Sequence, residues 1–225
     1  VLHGAAGTTL HETAPLIRRL EPSFHVLGVD LSGHGASALP DAPRLSLDLF
    51  AEDAVAVLEA YNLSSAHVVG FSLGGGTALH LAHSHPARVD RLAVLQTNAD
   101  WTEAQVRRMH RRLDLKALHD RAPARAQDLR ARHDQPERLL QALQTFVEAL
   151  PEASARLGKA LSNISASTLI AALDQDPLFG LDAPQSLHRA LPNARLTVLP
   201  GDTHSLPRAP LSLLAPLLTQ HFLEH

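Results

Sequence analysis

A serine within a glycine-rich turn is the residue of this sequence best placed to act as a nucleophile. Ser72 lies in the run 70–74 (GFSLG), between the β-branched pair Val68-Val69 and a helical pattern at 77–82. This order predicts a strand, a sharp turn and a helix, the setting in which a G-x-S-x-G motif exposes its serine hydroxyl. The glycines of the motif lack a Cβ, so strand and helix can approach closely. An alternative interpretation is an ordinary glycine turn in which Ser72 only caps the following helix.

Short apolar runs alternate with helical patterns along most of the chain. Each apolar run leads into a loop of turn-forming residues, and then into a segment whose apolar residues recur three or four positions apart. This alternation predicts an α/β fold with an open parallel sheet and helices on both of its faces. The predicted strands are residues 1–3, 25–29, 67–71, 91–96, 168–173 and 194–199.

Residues 101–161 interrupt this alternation. They show no strand pattern, and we expect Pro123, Pro136 and Pro151 to divide them into several short helices. We interpret them as a helical cap inserted into a core formed by residues 1–100 and 162–225. The part from 101 to 160 carries a net charge of +4 and the remainder −7. This separation favours an anionic substrate or product, while the alternative is an ordinary solvated helical face.

The composition limits the classes of protein to which the chain can belong. Its net charge of −3 gives no indication of nucleic-acid binding. Its 225 residues include no cysteine, which excludes disulfides, thiolate catalysis and cysteine metal sites. No run of 18 apolar residues predicts a membrane span, and no signal peptide is visible. We therefore expect a cytoplasmic protein, and the sequence does not predict its oligomeric state.

Several motifs, in the same order along the chain, resemble those of the α/β-hydrolase superfamily. They cover nearly the whole sequence, and the resemblance is weakest over residues 101–160. They are similar to the family's oxyanion loop (His3-Gly4), its D-x-x-G-H-G-x-S loop (30–37), its nucleophile elbow (70–74), its acid-bearing loop (169–177) and its histidine-bearing loop (200–204). An ordered set of motifs is more specific than any one of them alone.

The resemblance implies a catalytic triad. Its members would be Ser72 as nucleophile, His204 as general base and then acid, and Asp176 as the carboxylate that orients the histidine. Each follows a predicted strand, at the sheet edge where parallel sheets bind ligands. Asp176 is preferred because the family places the acid directly before a proline. Asp100 is the alternative, because some members place the acid after the preceding strand.

Other ionisable residues near these loops have simpler interpretations. Asp174 and Asp182 are further candidates for the acid. We expect His34 to hydrogen-bond within its loop. Three histidines of one predicted helix are expected to be exposed rather than to bind a metal, because no carboxylate stands at matching spacing. They are His80, His83 and His85.

The resemblance also implies where an oxyanion and a substrate would bind. The backbone N–H groups of Ala5 and Leu73 would form the oxyanion hole. Trp101, Met109 and Phe146, from the inserted segment, are candidates for lining the substrate site. The alternative for each of these three side chains is an ordinary place in the cap's own core.

The function implied is that of a serine hydrolase acting on a small-molecule carboxylic ester, without cofactor or metal. A lactonase, a C–C bond hydrolase and a cofactor-free perhydrolase are alternatives within the same fold. A ligand-binding protein that has lost turnover is an alternative of another class. The sequence does not identify the substrate.

The order of the strands follows from the same resemblance. The first two strands of the family's sheet have no counterpart here, and we expect residues to be missing before Val1. The six predicted strands should lie in the spatial order 2-1-3-4-5-6, all parallel. The strand at 25–29 would then form an exposed edge.

Overall fold

A parallel sheet forms the centre of the molecule. The computed structural model describes residues 1–41 and 44–224. Its strands are β1 (Ala66–Phe71), β2 (Val89–Leu95), β3 (Ser167–Leu173) and β4 (Ala194–Leu199). They lie side by side in chain order, and each neighbouring pair is parallel. The register places Phe71 beside Leu95 and Leu95 beside Ala171, so the carboxyl ends of the strands share one edge.

Two of the predicted strands are reduced to single bridges, so the prediction of six strands is wrong. Leu2 pairs in parallel with Val29 on one side and with Gly70 on the other, and neither bridge extends into a ladder. The physical reason is that the chain turns away at His3-Gly4, which leaves one residue in pairing position on each side. The predicted order of the segments is nevertheless confirmed, because Val29, Leu2 and β1 to β4 follow one another across the sheet.

Helices cover both faces of the sheet, as predicted. Alternate residues of a strand point to opposite faces. Val69 packs in the cluster that holds one helical group, and Val68 packs in the cluster that holds the other. The first group is α1 (Ala14–Leu20) and α9 (Leu211–Leu223), and the second includes α2 (Leu47–Ala60), α3 (Leu73–Ser84) and α8 (Asp182–Ala190). None of the helices in the described part of the chain is long and apolar enough to cross a membrane.

The segment between β2 and β3 is helical throughout its regular structure. It contains α4 (Glu103–Leu113), α5 (Leu115–Arg121), α6 (Pro123–Arg132) and α7 (Pro136–Ala160). Pro123 and Pro136 begin helices, where a missing N–H costs nothing. Pro151 does not end a helix as predicted, because it lies inside α7. The buried face of α7 continues across it, from Val147 to Leu157, and tertiary packing therefore outweighs the lost hydrogen bond.

Candidate active site

Ser72 occupies a strained turn between β1 and α3. Its φ of 53° lies in the left-handed region, which costs a non-glycine residue energy. Its N–H donates to Leu95 O at 2.9 Å, which ties the turn to β2. A Cβ on Gly70 would lie 2.1 Å from Gly74 O, so Gly70 allows strand and helix to approach, and a Cβ on Gly74 would lie 2.4 Å from Leu2 O, so Gly74 allows the helix to approach the first segment of the chain. The turn holds the serine hydroxyl at the carboxyl edge of the sheet.

Ser72, His204 and Asp176 form a hydrogen-bonded series. His204 Nδ1 donates to Asp176 Oδ2 at 2.8 Å, and Ser72 Oγ donates to His204 Nε2 at 2.9 Å. A carboxylate only accepts, so it places the imidazole proton on Nδ1 and leaves Nε2 free to accept from the hydroxyl. The side chains of His204 and Asp176 are 7% and 2% exposed, which shields both bonds from water. This arrangement can transfer the serine proton to the imidazole.

The Asp176 carboxylate is kept ionised by its donors. Burial by itself would raise its pKa, but the hydrogen bond and charge of His204, the Leu178 N–H and the Gln96 amide together lower the pKa below its usual value. Leu178 N donates to Oδ1 at 2.8 Å, and Phe179 N donates to the same oxygen at 3.4 Å. An ionised carboxylate at this position would stabilise a positively charged imidazole.

The other candidate carboxylates do not reach the imidazole. Asp100 stands outside the series, and its backbone N–H and carbonyl bond the side chain of Asn98. Asp174 Oδ1 accepts from Gly201 N at 2.8 Å, which joins the loops that follow β3 and β4. Asp182 begins α8. The structure therefore brings Asp176, and none of these three, to His204.

Gln96 is a functional candidate that the sequence analysis missed. Its Nε2 donates to Asp176 Oδ2 at 2.9 Å and to Thr203 O at 2.7 Å, so one amide links the acid loop to the histidine loop. The residue is buried and has a φ of 46°. The signal in the sequence is a polar residue at the end of an apolar run, but residues 91–96 are all predicted to form a strand.

Two aromatic rings hold the imidazole from its sides. The ring centroids of Phe71 and His204 are 5.3 Å apart, and those of Phe179 and His204 are 5.1 Å apart with the planes nearly perpendicular. Trp101 contacts Phe179 in a second perpendicular arrangement. These contacts restrict the rotation of His204 and exclude water from it.

Backbone N–H groups lie where an oxyanion hole was predicted. Leu73 is the first residue of α3, so its N–H has no acceptor within the helix. Ala5 and Leu73 both line a small pocket with Ser72. Across the described residues, neither N–H has a hydrogen-bond acceptor. Their role as oxyanion donors remains a prediction.

Three buried histidines support the loop that carries Ala5. Each accepts a backbone N–H with one ring nitrogen and contacts a carbonyl with the other. His3 accepts from Leu31 N, and His34 accepts from Ala6 N. His133 contacts Ala6 O and accepts from Gly35 N. An acceptor nitrogen must be unprotonated, so the three rings are neutral.

The pKa values of these histidines agree with their hydrogen bonds. Burial lowers the pKa of His3 to about 4. Burial and the neighbouring histidines lower the pKa of His34 well below its usual value, and burial also lowers that of His133. His34 bonds within its loop as expected, and the network extends beyond that loop to the helical segment.

Glu12 is a partly buried acidic residue beside the same loop. It accepts from Gly4 N, the residue before Ala5, and lines the cavity that contains Ser72. Burial raises its pKa to about 7, although the Gly4 hydrogen bond and the charge of Arg132 oppose the rise. No sequence motif indicated this residue.

Two cavities meet at Ser72. The smaller, of about 40 Å³, is lined by Trp101, Met109 and Phe146, the three side chains predicted to contact substrate. The same three side chains also belong to the main apolar core or pack against it. Their positions therefore agree both with lining a substrate site and with an ordinary place in an apolar core. The larger cavity, of about 640 Å³, contains Ser72 and His204 and is lined by several arginines.

Of the three histidines predicted to be exposed, only His83 is, because His80 and His85 are partly buried against acidic residues of α2. His80 pairs with Asp48 at 2.9 Å, and His85 with Glu52 at 3.3 Å. Within residues 1–41 and 44–224, no group of three or more histidine, aspartate or glutamate side chains could hold a metal ion.

Comparison with known proteins identifies the family. A pimeloyl-[acyl-carrier protein] methyl ester esterase of Chromobacterium violaceum is 31% identical over 85% of this chain and 81% of its own length. A hydrolase from Rhodococcus sp. strain RHA1, active on 2-hydroxy-6-oxo-6-phenylhexa-2,4-dienoate by its name, superposes with a TM-score of 0.83 at 22% identity, over 98% of this chain and 88% of that one. With the RutD protein of Caulobacter vibrioides, the 39% identical match spans 36% of this chain and only 30% of that relative. The model of the alpha/beta hydrolase fold family matches residues 1–165, and the chain belongs to that family.

Proposed function

We propose that this chain is a serine hydrolase that cleaves a carboxylic ester or a similar acyl substrate through an acyl-enzyme. The observation that carries the proposal is the series Ser72–His204–Asp176, with bonds of 2.9 and 2.8 Å at the edge of a cavity. A glycine at this position would form the same turn with less backbone strain. A strained serine that is hydrogen-bonded to a buried imidazole is therefore better explained by catalysis than by the structure of the turn.

The proposed mechanism assigns one role to each of these side chains. Ser72 Oγ attacks the substrate carbonyl while His204 Nε2 takes its proton, and Asp176 stabilises the imidazolium that forms. The negative charge that develops on the carbonyl oxygen is met by the N–H groups of Ala5 and Leu73. His204 then returns its proton to the leaving alcohol, and the serine remains acylated. A water molecule then attacks the acyl carbon while His204 Nε2 takes its proton, the bond from the acyl group to Ser72 Oγ breaks, and Oγ regains a proton from His204 as the acid leaves.

The helical segment 101–161 serves in this proposal as a cap over a core made of 1–100 and 162–225. Residues of α4, α6 and α7 line the two cavities together with Ser72. A substrate bound there would lie between the sheet edge and these helices. Exclusion of water would strengthen the electrostatic interactions within the site.

The relatives support hydrolysis without selecting one substrate. Similar chains include the methyl ester esterase above and a 3-oxoadipate enol-lactonase of Acinetobacter baylyi, 28% identical over 88% of this chain and 79% of its own length. A lactone is an internal ester, so the same groups would act on it. An ester is our first choice because the esterase aligns with the higher identity over a similar share of the chain.

A fluorophosphonate probe tests the proposal directly. We expect stoichiometric labelling of wild-type protein at Ser72, located by mass spectrometry, and none of Ser72→Ala. Turnover of a panel of methyl esters and lactones then ranks the substrates. A folded protein that the probe does not label would contradict the covalent mechanism and would favour a ligand-binding role.

A further inference from the structure

Positive side chains line the larger cavity on the side formed by the helical segment. Arg112 comes from α4, and Arg125 and Arg132 come from α6. Arg132 is paired with Asp128, one turn before it on the same helix. Among the residues that the structure describes, Arg112 and Arg125 have neither an ion pair nor a side-chain hydrogen bond. Two guanidinium groups on the helical side of the cavity are therefore without a partner in the described part of the chain, and Arg208, in the short helical turn after β4, lines the cavity from the opposite side.

Helical spacing directs these arginines into the cavity. Met109, Arg112 and Leu113 lie three and four positions apart on α4, and all three line the cavity. Arg125 and Leu129 have the same relation on α6. Residues with this spacing share one face of a helix. The guanidinium groups thus belong to the faces that meet the site.

No described residue forms an ion pair with Arg112. The side chain is partly buried, and burial together with the nearby charge of Arg125 lowers its pKa. The carboxylate that most affects it is Asp176, which already accepts hydrogen bonds from His204, Gln96 and the loop backbone. A partly desolvated cation without a partner is unfavourable, and an anion supplied from outside would offset that cost.

The contact between α4 and the acid loop places Arg112 close to the reacting groups. Arg108, one turn before it, donates to Pro177 O at 2.7 Å, and Pro177 follows Asp176. On its helical side the cavity has one acidic group, Asp128, which is paired with Arg132, and its other acidic groups belong to other elements. Glu12 lies in the turn before α1, and Asp202 lies in the loop after β4. The helical side is therefore the side that favours an anion.

We propose that Arg112 and Arg125 bind an anionic oxygen group, a carboxylate or a phosphate, carried by the acyl substrate that Ser72 attacks. This inference rests on the proposed function and names the substrate class for the same site. Guanidinium groups bind such anions through paired N–H donors, which adds orientation as well as affinity. An ester with an anionic end would be held by that end, with its carbonyl at Ser72.

Matched esters test the proposal by kinetics. Monomethyl glutarate and dimethyl glutarate differ in one charge, and methyl 4-phosphonobutanoate replaces the carboxylate by a phosphonate. We expect wild-type kcat/KM to be higher for the two anionic esters, and their ranking to show which anion the site prefers. Arg112→Gln and Arg125→Gln should each lower the ratio of kcat/KM for anionic esters to kcat/KM for the neutral ester about tenfold or more. Arg125 is exposed, so its substitution should not disturb folding. Arg107→Gln, on α4 but outside the cavity, makes the same change in net charge and is the control.

The proposal is overturned if Arg112→Gln and Arg125→Gln leave the ratio where Arg107→Gln leaves it. Calorimetric binding of monomethyl glutarate to Ser72→Ala separates this result from a failure of the proposed function, because it needs no turnover. Binding that Arg125→Gln weakens, in a chain that hydrolyses no ester, would support the anion site and reject the hydrolase. Hydrolysis of esters without any preference for the anionic ones would support the hydrolase and reject the anion site.

Discussion

Histidines on the two sides of Ser72 have opposite hydrogen-bonding environments. On one side, His204 faces a carboxylate with Nδ1 and a hydroxyl with Nε2. On the other side, His3, His34 and His133 each accept a backbone N–H and face a carbonyl. Protonation of His204 would strengthen its bond to the carboxylate. Protonation of any of the others would remove the acceptor that the loop requires.

The difference shows that the partners of a histidine decide what it can do. All four rings are largely shielded from water, so burial does not distinguish them. The Asp176 carboxylate stabilises a positive charge on His204, which makes that ring suitable for proton transfer. Backbone partners make His3, His34 and His133 suitable for holding the loop that carries Ala5.

The largest effect should come from the nucleophile. We expect Ser72→Ala to lower kcat/KM for an ester about 10⁶-fold, and His204→Ala to cost nearly as much, because the series acts as a unit. Ser84→Ala, at the other end of α3, is the matched control and should keep full activity. Circular dichroism would verify that each variant is folded. Substantial turnover by Ser72→Ala would be incompatible with an acyl-enzyme.

The next largest effect should come from the carboxylate beside His204. Asp176→Asn leaves the shape of the loop but can present an N–H to Nδ1, so we expect kcat to fall about 10⁴-fold. Asp100→Asn, the alternative position for the acid, should change little. A larger loss in Asp100→Asn than in Asp176→Asn would reverse the assignment of the acid.

The loop on the other side of Ser72 should affect stability and its dependence on pH. The pKa of Glu12, about 7 in the folded state, is above its value in the unfolded chain. Its contribution to stability is therefore present below the unfolded pKa and is lost as pH rises towards 7. As pH rises from 4.5 to 8, the free energy of unfolding of Glu12→Gln should therefore increase by about 3 kcal/mol relative to that of wild type. Urea unfolding would measure this, with the exposed Glu21→Gln as control.

The buried histidines should have the opposite effect. The pKa of His3 is about 4 in the folded state, below its value in the unfolded chain. Its contribution to stability is present above the unfolded pKa and is lost as pH falls towards 4, at about 1.4 kcal/mol per pH unit. In wild type, Glu12 offsets part of this slope, so Glu12→Gln should show a steeper loss of stability in acid. Equal slopes in the two proteins would mean that Glu12 is not proton-linked to folding.

The smallest effect should come from the amide that links the two catalytic loops. Gln96→Asn keeps a residue that tolerates a positive φ but shortens its reach to Asp176 and Thr203. We expect kcat to fall about tenfold with KM little changed, because a hydrogen bond to a charged group is lost from a positioning residue. A change in KM alone, with kcat intact, would show that Gln96 acts on substrate binding instead.

Much of the fold was predictable because strand and helix patterns are local. The parallel sheet, its spatial order and the helices on both faces follow from short apolar runs between helical segments, together with the family resemblance. The extent of the first two strands was not predictable, since the length of a ladder depends on where the paired segments of the chain turn away from each other. The continuation of α7 through Pro151 was also not predictable, because packing of the face from Val147 to Leu157 outweighs the local effect of a proline.

The elbow at Ser72 was predictable from residue order, because glycine spacing, strand and helix are all local features of the chain. Residue order also placed His204 and Asp176 after strands that share one edge. The folded structure was needed to establish which carboxylate meets the imidazole, which arginines line the cavity, and which histidines are neutral. Those outcomes depend on distances between residues 28 or more positions apart, and on burial, which alters the energy of a charge. Neither quantity can be read from residue order alone.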